Sequence, residues 1–138
     1  MDEKKVVIVT GANGGMGKVI VEQLLAQDHV VIALDLSITT LASIDDHSLQ
    51  CHEVNVLDEI HIQQIIQDVS LKYGRIDGLV NALGTAQAAT PIEEVSMEQW
   101  ERLMNGNVKS LFIMTKAVVP YMKEKKYGSI VTIASISA

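Results

Sequence analysis

Four consecutive β-branched residues, Val6 to Val9, lead directly into a glycine-rich turn in the sequence VVIVTGANGGMG (residues 6–17). An apolar run without polar alternation is typical of a strand that is buried on both faces. After the turn, residues 18–27 (KVIVEQLLAQ) place apolar side chains at helical spacing. The sequence therefore predicts a strand, a glycine turn and a helix in immediate succession.

The glycines of this turn, Gly11, Gly15 and Gly17, follow the spacing T-G-x-x-x-G-x-G. This spacing differs from G-x-G-x-x-G, but the strand–turn–helix context is the one that a dinucleotide-binding turn requires. Backbone N–H groups and the helix N-terminus attract an anion above the strand. We therefore predict that a dinucleotide contacts the three glycines together with Asn13 and Met16.

A second apolar run, residues 30–34 (VVIAL), ends in Asp35, about 20 positions past the glycine turn. A carboxylate at this point accepts hydrogen bonds from both ribose hydroxyls and repels a 2′-phosphate. Neither Leu36 nor Ser37 is basic, so Asp35 and Leu36 are predicted to favour NAD over NADP. The alternative is that Asp35 only caps a following turn.

The rest of the chain continues to alternate strands with helices. The apolar patterns predict strands over residues 49–56, 76–83 and 129–134, a helix over 58–73 and a loop over 84–91. Ser96 and Gln99 have capping-box spacing, which predicts a further helix to about Lys125. Gly106 and Asn107 interrupt this helix, and two explanations are open: a functional site, or close packing at Gly106 with Asn107 facing solvent.

Four motifs in this order resemble the short-chain dehydrogenase/reductase family over residues 5–138: the glycine turn, NALG (residues 81–84), Asn107 and GSIVTIAS (residues 128–135). The resemblance implies an oxidoreductase that transfers hydride between a nicotinamide and an alcohol or ketone, and a homo-oligomer. It implies catalytic roles for Asn107 and Ser135. The cofactor contacts that it adds are Asn55, Val56, Asn81, Ala82 and Gly84. Asn55 stands where the family has an aspartate.

In the family, a Tyr-x-x-x-Lys motif that carries the acid/base follows the serine, whereas this sequence stops at Ala138. Residues 1–138 are therefore predicted to be an NAD(P)-binding Rossmann domain that forms the N-terminal portion of a longer enzyme. The alternative is a dinucleotide-binding module, or a degenerate paralogue, without catalysis. A methyltransferase with a similar sheet is a third, weaker possibility, because it rarely needs such a glycine turn.

Composition excludes several other classes of protein. The net charge is −6 and no basic stripe is present, so nucleic acid is not expected as a partner. No apolar run approaches the roughly 20 residues of a membrane span, and the N-terminus lacks a signal-type apolar segment. The single cysteine, Cys51, suits a reducing compartment, so the cytoplasm is predicted. The four histidines have no metal-ligand spacing and are predicted to lie on the surface.

Alternating strands and helices predict an α/β fold with a doubly wound parallel sheet of order 3-2-1-4-5, cut off after the fifth strand. Ligands of such sheets bind at the carboxyl ends of the strands, where the strand order reverses. The candidate residues all follow strand ends, so we expect them to converge there. The fifth strand is expected to form an exposed edge.

Overall fold

The computed structural model describes residues 3–135 and contains a five-stranded parallel sheet. Its order is β3-β2-β1-β4-β5, which confirms the predicted topology. The strands are β1 (Val6–Thr10), β2 (Val30–Asp35), β3 (Leu49–Glu53), β4 (Gly78–Asn81) and β5 (Ser129–Thr132).

The last three strands are shorter than the apolar runs that predicted them, because a strand pairs only as far as its neighbour extends. β1 and β4 pair from Val7 opposite Gly78 to Thr10 opposite Asn81. Beyond Thr10 the chain turns at Gly11, which has a φ of +63°. The residues after Asn81 then have no strand to pair with and are left to form the site.

The helices are α1 (Gly15–Ala26), α2 (Glu59–Tyr73), α3 (Met97–Met104) and α4 (Ser110–Lys125), with a short 3₁₀ turn at Ile92–Glu94. The predicted caps are present: the Asp58 carboxylate accepts from the His61 N–H at 3.1 Å, and Gly74 ends α2 in the left-handed conformation. Ser96 and Gln99 form the reciprocal capping box of α3. The long helix expected after it is divided, because a π-helical turn, Asn105–Lys109, separates α3 from α4.

The two faces of the sheet are covered by different helices. Ile8, Ile32 and Leu79 point to the face on which α2 and α4 pack, and all three are fully buried. Val9 and Val31 point to the opposite face, which α1 covers. This alternation along strands buried on both sides explains why their sequences are continuously apolar.

The β5 strand forms one edge of the sheet, and all four of its residues are exposed, Val131 by 49%. The exposed edge was expected from the sequence.

The prediction that all four histidines lie on the surface is wrong at His29, which is buried and accepts from the Lys5 N–H through Nδ1 at 3.3 Å. Among residues 3–135, no helix combines the length and the apolar character that crossing a bilayer requires.

Candidate functional site

The glycine turn connects β1 to α1, and two of its glycines are required sterically. A Cβ on Gly11 would lie 2.7 Å from the backbone of Leu83, and one on Gly17 would lie 1.9 Å from the Gly11 carbonyl oxygen. By contrast, a Cβ on Gly15 would meet nothing within 4 Å. Gly11 and Gly17 thus hold the turn tight, while Gly15 leaves open space in front of it.

The N-terminus of α1 has no acidic residue in its first turn and no side-chain cap on Gly14. The first N–H groups of a helix have no partner within the helix, and they favour an anion. Met16, in the same turn, is 58% exposed. The local arrangement is therefore suited to binding an anion.

Asp35 lies beside this turn at the end of β2. Its Oδ2 accepts from the Asn13 N–H at 2.9 Å, and its Oδ1 accepts from the Leu36 N–H at 2.7 Å. The Asn13 side chain in turn accepts from the N–H and the hydroxyl of Thr40. The Asp35 carboxylate therefore borders the glycine turn and also accepts a hydrogen bond from the residue that follows it.

A cavity of about 310 Å³, here called the β2–β3 cavity, opens beside Asp35. Asn55 and Val56, two of the predicted cofactor contacts, line it, and the Asn55 Oδ1 accepts from the Leu57 N–H at 3.0 Å. Its full lining is Gly11, Leu34–Leu36, Val54–Leu57, Leu83, Thr85, Arg102, Asn105 and Gly106. Most of these side chains are apolar, which suits a flat, weakly polar group.

A larger cavity of about 660 Å³, the β4–β5 cavity, opens at the ends of the next two strands. It brings together the predicted residues Asn81, Ala82, Gly84, Asn107 and Ser135. Its full lining is Thr10, Asn81–Ala86, Asn107, Ser110, Leu111 and Thr132–Ser135. Leu83 and Thr85 line both cavities, so the two cavities are neighbours at the carboxyl ends of the strands.

Asn107 lies in the π-helical turn and holds the loop after β4 in place. Its Oδ1 accepts from the Thr85 N–H at 2.9 Å, and its Nδ2 donates to the Thr85 carbonyl at 2.9 Å. A Cβ on the neighbouring Gly106 would lie 2.6 Å from the Thr85 hydroxyl. Gly106 therefore allows close packing, as the second explanation expected, while Asn107 is exposed and lines the β4–β5 cavity.

Asn81 is buried at the end of β4. Its Nδ2 donates to the Thr132 hydroxyl of β5 at 3.4 Å. Within the described residues its Oδ1 has no hydrogen-bond partner. This contact joins the end of β4 to the end of β5.

Sequence reasoning missed several residues of the two cavities. Thr85 and Arg102 belong to a loop and a helix whose position over the sheet depends on tertiary packing. Asn105 lies three positions after Arg102 and next to Gly106, and helical spacing alone would have grouped the three on one face. In the part of the chain that the structure describes, no three His, Cys, Asp or Glu side chains converge into a candidate metal site.

Comparison with known proteins finds a family model and two sequence relatives that match most of this chain. The model of the short chain dehydrogenase family matches residues 5–138. The sequence is 35% identical to 3-oxoacyl-(acyl-carrier-protein) reductase FabG of Thermotoga maritima over 97% of this chain and 56% of that protein. It is 33% identical to NADP-dependent 3-hydroxy acid dehydrogenase YdfG of Escherichia coli over 94% of this chain and 54% of that protein.

The solved structure of NAD⁺-bound xylitol dehydrogenase superposes with a TM-score of 0.86 at 27% identity, covering 96% of this chain and 53% of that one. The chain thus spans about half the length of the proteins that it matches.

Proposed function

The chain belongs to the short-chain dehydrogenase family, and from this premise we propose that residues 1–138 form the dinucleotide-binding part of an oxidoreductase. The glycine turn, Asp35 and Asn55 would hold a nicotinamide dinucleotide, which supplies or accepts the hydride when it is bound. The substrate class that we propose is an alcohol or ketone. The observation that carries the proposal is the meeting of the glycine turn, Asp35 and Ser135 along one edge of the sheet, in two neighbouring cavities.

We assign the contact with the reacting oxygen to Ser135. Negative charge builds up on this oxygen as hydride reaches the carbonyl carbon, and a hydroxyl donor stabilises it. Asn107 has the proposed role of holding a water molecule for proton exchange. Its Oδ1 already accepts from Thr85, but an amide oxygen has a second lone pair for such a water.

We propose NAD as the preferred cofactor. The relatives do not decide the matter, because YdfG is NADP-dependent and the xylitol dehydrogenase structure holds NAD⁺. The argument rests on Asp35, whose carboxylate borders the glycine turn and lines the β2–β3 cavity without a basic residue at positions 36 or 37. A 2′-phosphate placed beside it would be repelled.

The first prediction tests cofactor preference. The unmutated protein is expected to bind NADH at least about fivefold more tightly than NADPH, because the repulsion is worth on the order of 1–4 kcal/mol at about 4 Å. Asp35→Ala combined with Leu36→Arg should reverse the preference. Dissociation constants for both cofactors, measured by calorimetric titration, provide the check.

The matched control for this change is Glu53→Ala. Glu53 is the exposed carboxylate opposite Asp35 on β3, and it does not line the β2–β3 cavity. Its removal should leave the NADH-to-NADPH ratio unchanged. Tighter binding of NADPH than of NADH by the unmutated protein would contradict the prediction.

The second prediction concerns a polypeptide of residues 1–138 alone. It should bind the cofactor but show no turnover, because loss of a general acid/base costs about 10²–10⁴-fold and none of the described side chains is proposed to take that role. Significant turnover by a verified 138-residue chain would contradict this. Cofactor binding without turnover in the whole protein as well would favour the non-catalytic binding module.

The same polypeptide should self-associate. Its β5 edge is exposed, and Trp100, Val108 and Phe112 on the helical segment are each more than half exposed. An open strand edge and exposed apolar side chains both favour association. Light scattering coupled to size-exclusion chromatography should give a mass above 15.0 kDa. A monomer at high concentration would contradict both this expectation and the proposed homo-oligomer.

The cytoplasmic location stays a prediction.

A further inference from the structure

Arg102 is a cation on the wall of the β2–β3 cavity, and no motif of the sequence accounts for it. It lies in α3, one helical turn before Asn105 and Gly106, and the three residues form one wall. Asp35 and Leu36 also line the cavity. Among the described residues that line either cavity, Arg102 is the single lysine or arginine.

The Arg102 guanidinium is held by a hydrogen bond to the loop after β4. Its Nη2 donates to the Gln87 Oε1 at 3.1 Å, and the Gln87 Nε2 contacts the Thr90 hydroxyl at 3.4 Å. No carboxylate pairs with Arg102 among the ion pairs of residues 3–135. The charge is therefore oriented by an uncharged amide, and no carboxylate within the described part of the chain forms an ion pair with it.

The residues that line the β2–β3 cavity indicate which part of a bound dinucleotide would lie against the Arg102 guanidinium. The anionic diphosphate is already assigned to the glycine turn and the N-terminus of α1. Much of the remaining lining, including Leu36, Val56 and Leu57, is apolar and suits a flat aromatic base better than a phosphate. A guanidinium is planar and weakly hydrated, and it stacks on aromatic faces in a way that an ammonium does not.

We propose that Arg102 is a cofactor-binding residue whose guanidinium stacks on the adenine ring of the dinucleotide, an inference that rests on the proposed function. The contact supplements Asn55, whose Oδ1 already accepts from the Leu57 N–H and so has less capacity for the adenine amino group. Arg102 and Asp35 then hold the adenosine half by two different interactions. Arg102 contacts the base and Asp35 the ribose.

The test compares Arg102→Gln and Arg102→Lys with the unmutated protein, using NADH and ADP-ribose as probes. Arg102→Gln should weaken both probes about three- to tenfold, in the range of a cation–π contact. Arg102→Lys should restore little, because the planar group is lost. The loss should be the same at low and high salt, and the melting temperature without ligand should not change.

The control is Lys109→Gln, which removes an exposed cation from the π-helical turn without touching either cavity. It should leave both dissociation constants unchanged. Unaltered binding by Arg102→Gln would overturn the inference. Full rescue by Arg102→Lys, with a loss that shrinks at high salt, would also overturn it and indicate a phosphate contact instead. If the unmutated protein binds neither probe, the proposed function fails, and the inference fails with it.

Discussion

Gly17→Ala is expected to lower the melting temperature by several degrees and to weaken dinucleotide binding by on the order of 100-fold. The added Cβ would lie 1.9 Å from the Gly11 carbonyl oxygen and 2.9 Å from the Ala12 Cα. Both are backbone atoms of a tight turn, so the turn itself must move. Forced contacts of this kind cost about 1–3 kcal/mol. Two lost hydrogen bonds to a charged phosphate, at about 1.5 kcal/mol each, account for the affinity.

Gly15→Ala is the matched control for this substitution. Its Cβ meets nothing within 4 Å, so the melting temperature should stay within about a degree of the unmutated protein. Thermal unfolding and calorimetric titration with NADH separate the two effects. Weaker binding by Gly15→Ala at an unchanged melting temperature would indicate that the ligand occupies the open space in front of Gly15. A Gly17→Ala protein with normal stability and affinity would contradict the packing argument.

The architecture was predictable because the signals that specify it are local. Asp58, Gly74 and the Ser96–Gln99 pair act within one or two helical turns, and each is where its residue type predicts. Continuous apolar runs identified strands buried on both faces. Parallel topology then brought residues distant in sequence, such as Asp35 and Ser135, to one edge of the sheet.

The ends of the strands were not predictable, because they depend on the neighbouring strand. The run of residues 76–83 is apolar enough for eight strand positions, yet β4 stops at Asn81 because β1 ends opposite it at Thr10. The same limit applies to Arg102. Its place on a cavity wall depends on how α3 lies over the sheet, and the spacing of α3 alone does not contain that information.

A partly buried ion pair at the amino ends of β1 and β4 was also missed. Asp77 is 4% exposed, accepts from the Val6 N–H at 2.8 Å, and accepts from the Arg75 Nε at 2.8 Å. The hydrogen bonds of Arg75 with Asp77 and Glu3 raise the pKa of its guanidinium. This arrangement joins the start of β1 to the segment before β4. Its sequence signal is two opposite charges two positions apart, which is too common to single out.

Ser135→Ala is expected to lower kcat by on the order of 10²–10³ while the dissociation constant of NADH stays within about twofold. Ser135 follows β5 in the β4–β5 cavity, whereas Asp35 and Asn55 line the β2–β3 cavity. If its hydroxyl contacts the reacting oxygen, its loss removes an interaction that strengthens in the transition state and leaves adenosine binding intact. Steady-state kinetics and NADH titration on the whole protein measure the two quantities separately.

Two further variants make the test of Ser135 specific. Ser135→Thr keeps a hydroxyl and should retain more activity than Ser135→Ala, because the donor is still present. Ser129→Ala removes an exposed hydroxyl from the start of the same strand, away from the cavity, and should leave kcat unchanged. Turnover by Ser135→Ala within a few-fold of the unmutated protein would remove Ser135 from the reaction. An equal loss of NADH affinity in Ser135→Ala would instead assign the serine to cofactor binding, because only the combination of low kcat and normal affinity identifies a contact with the substrate oxygen.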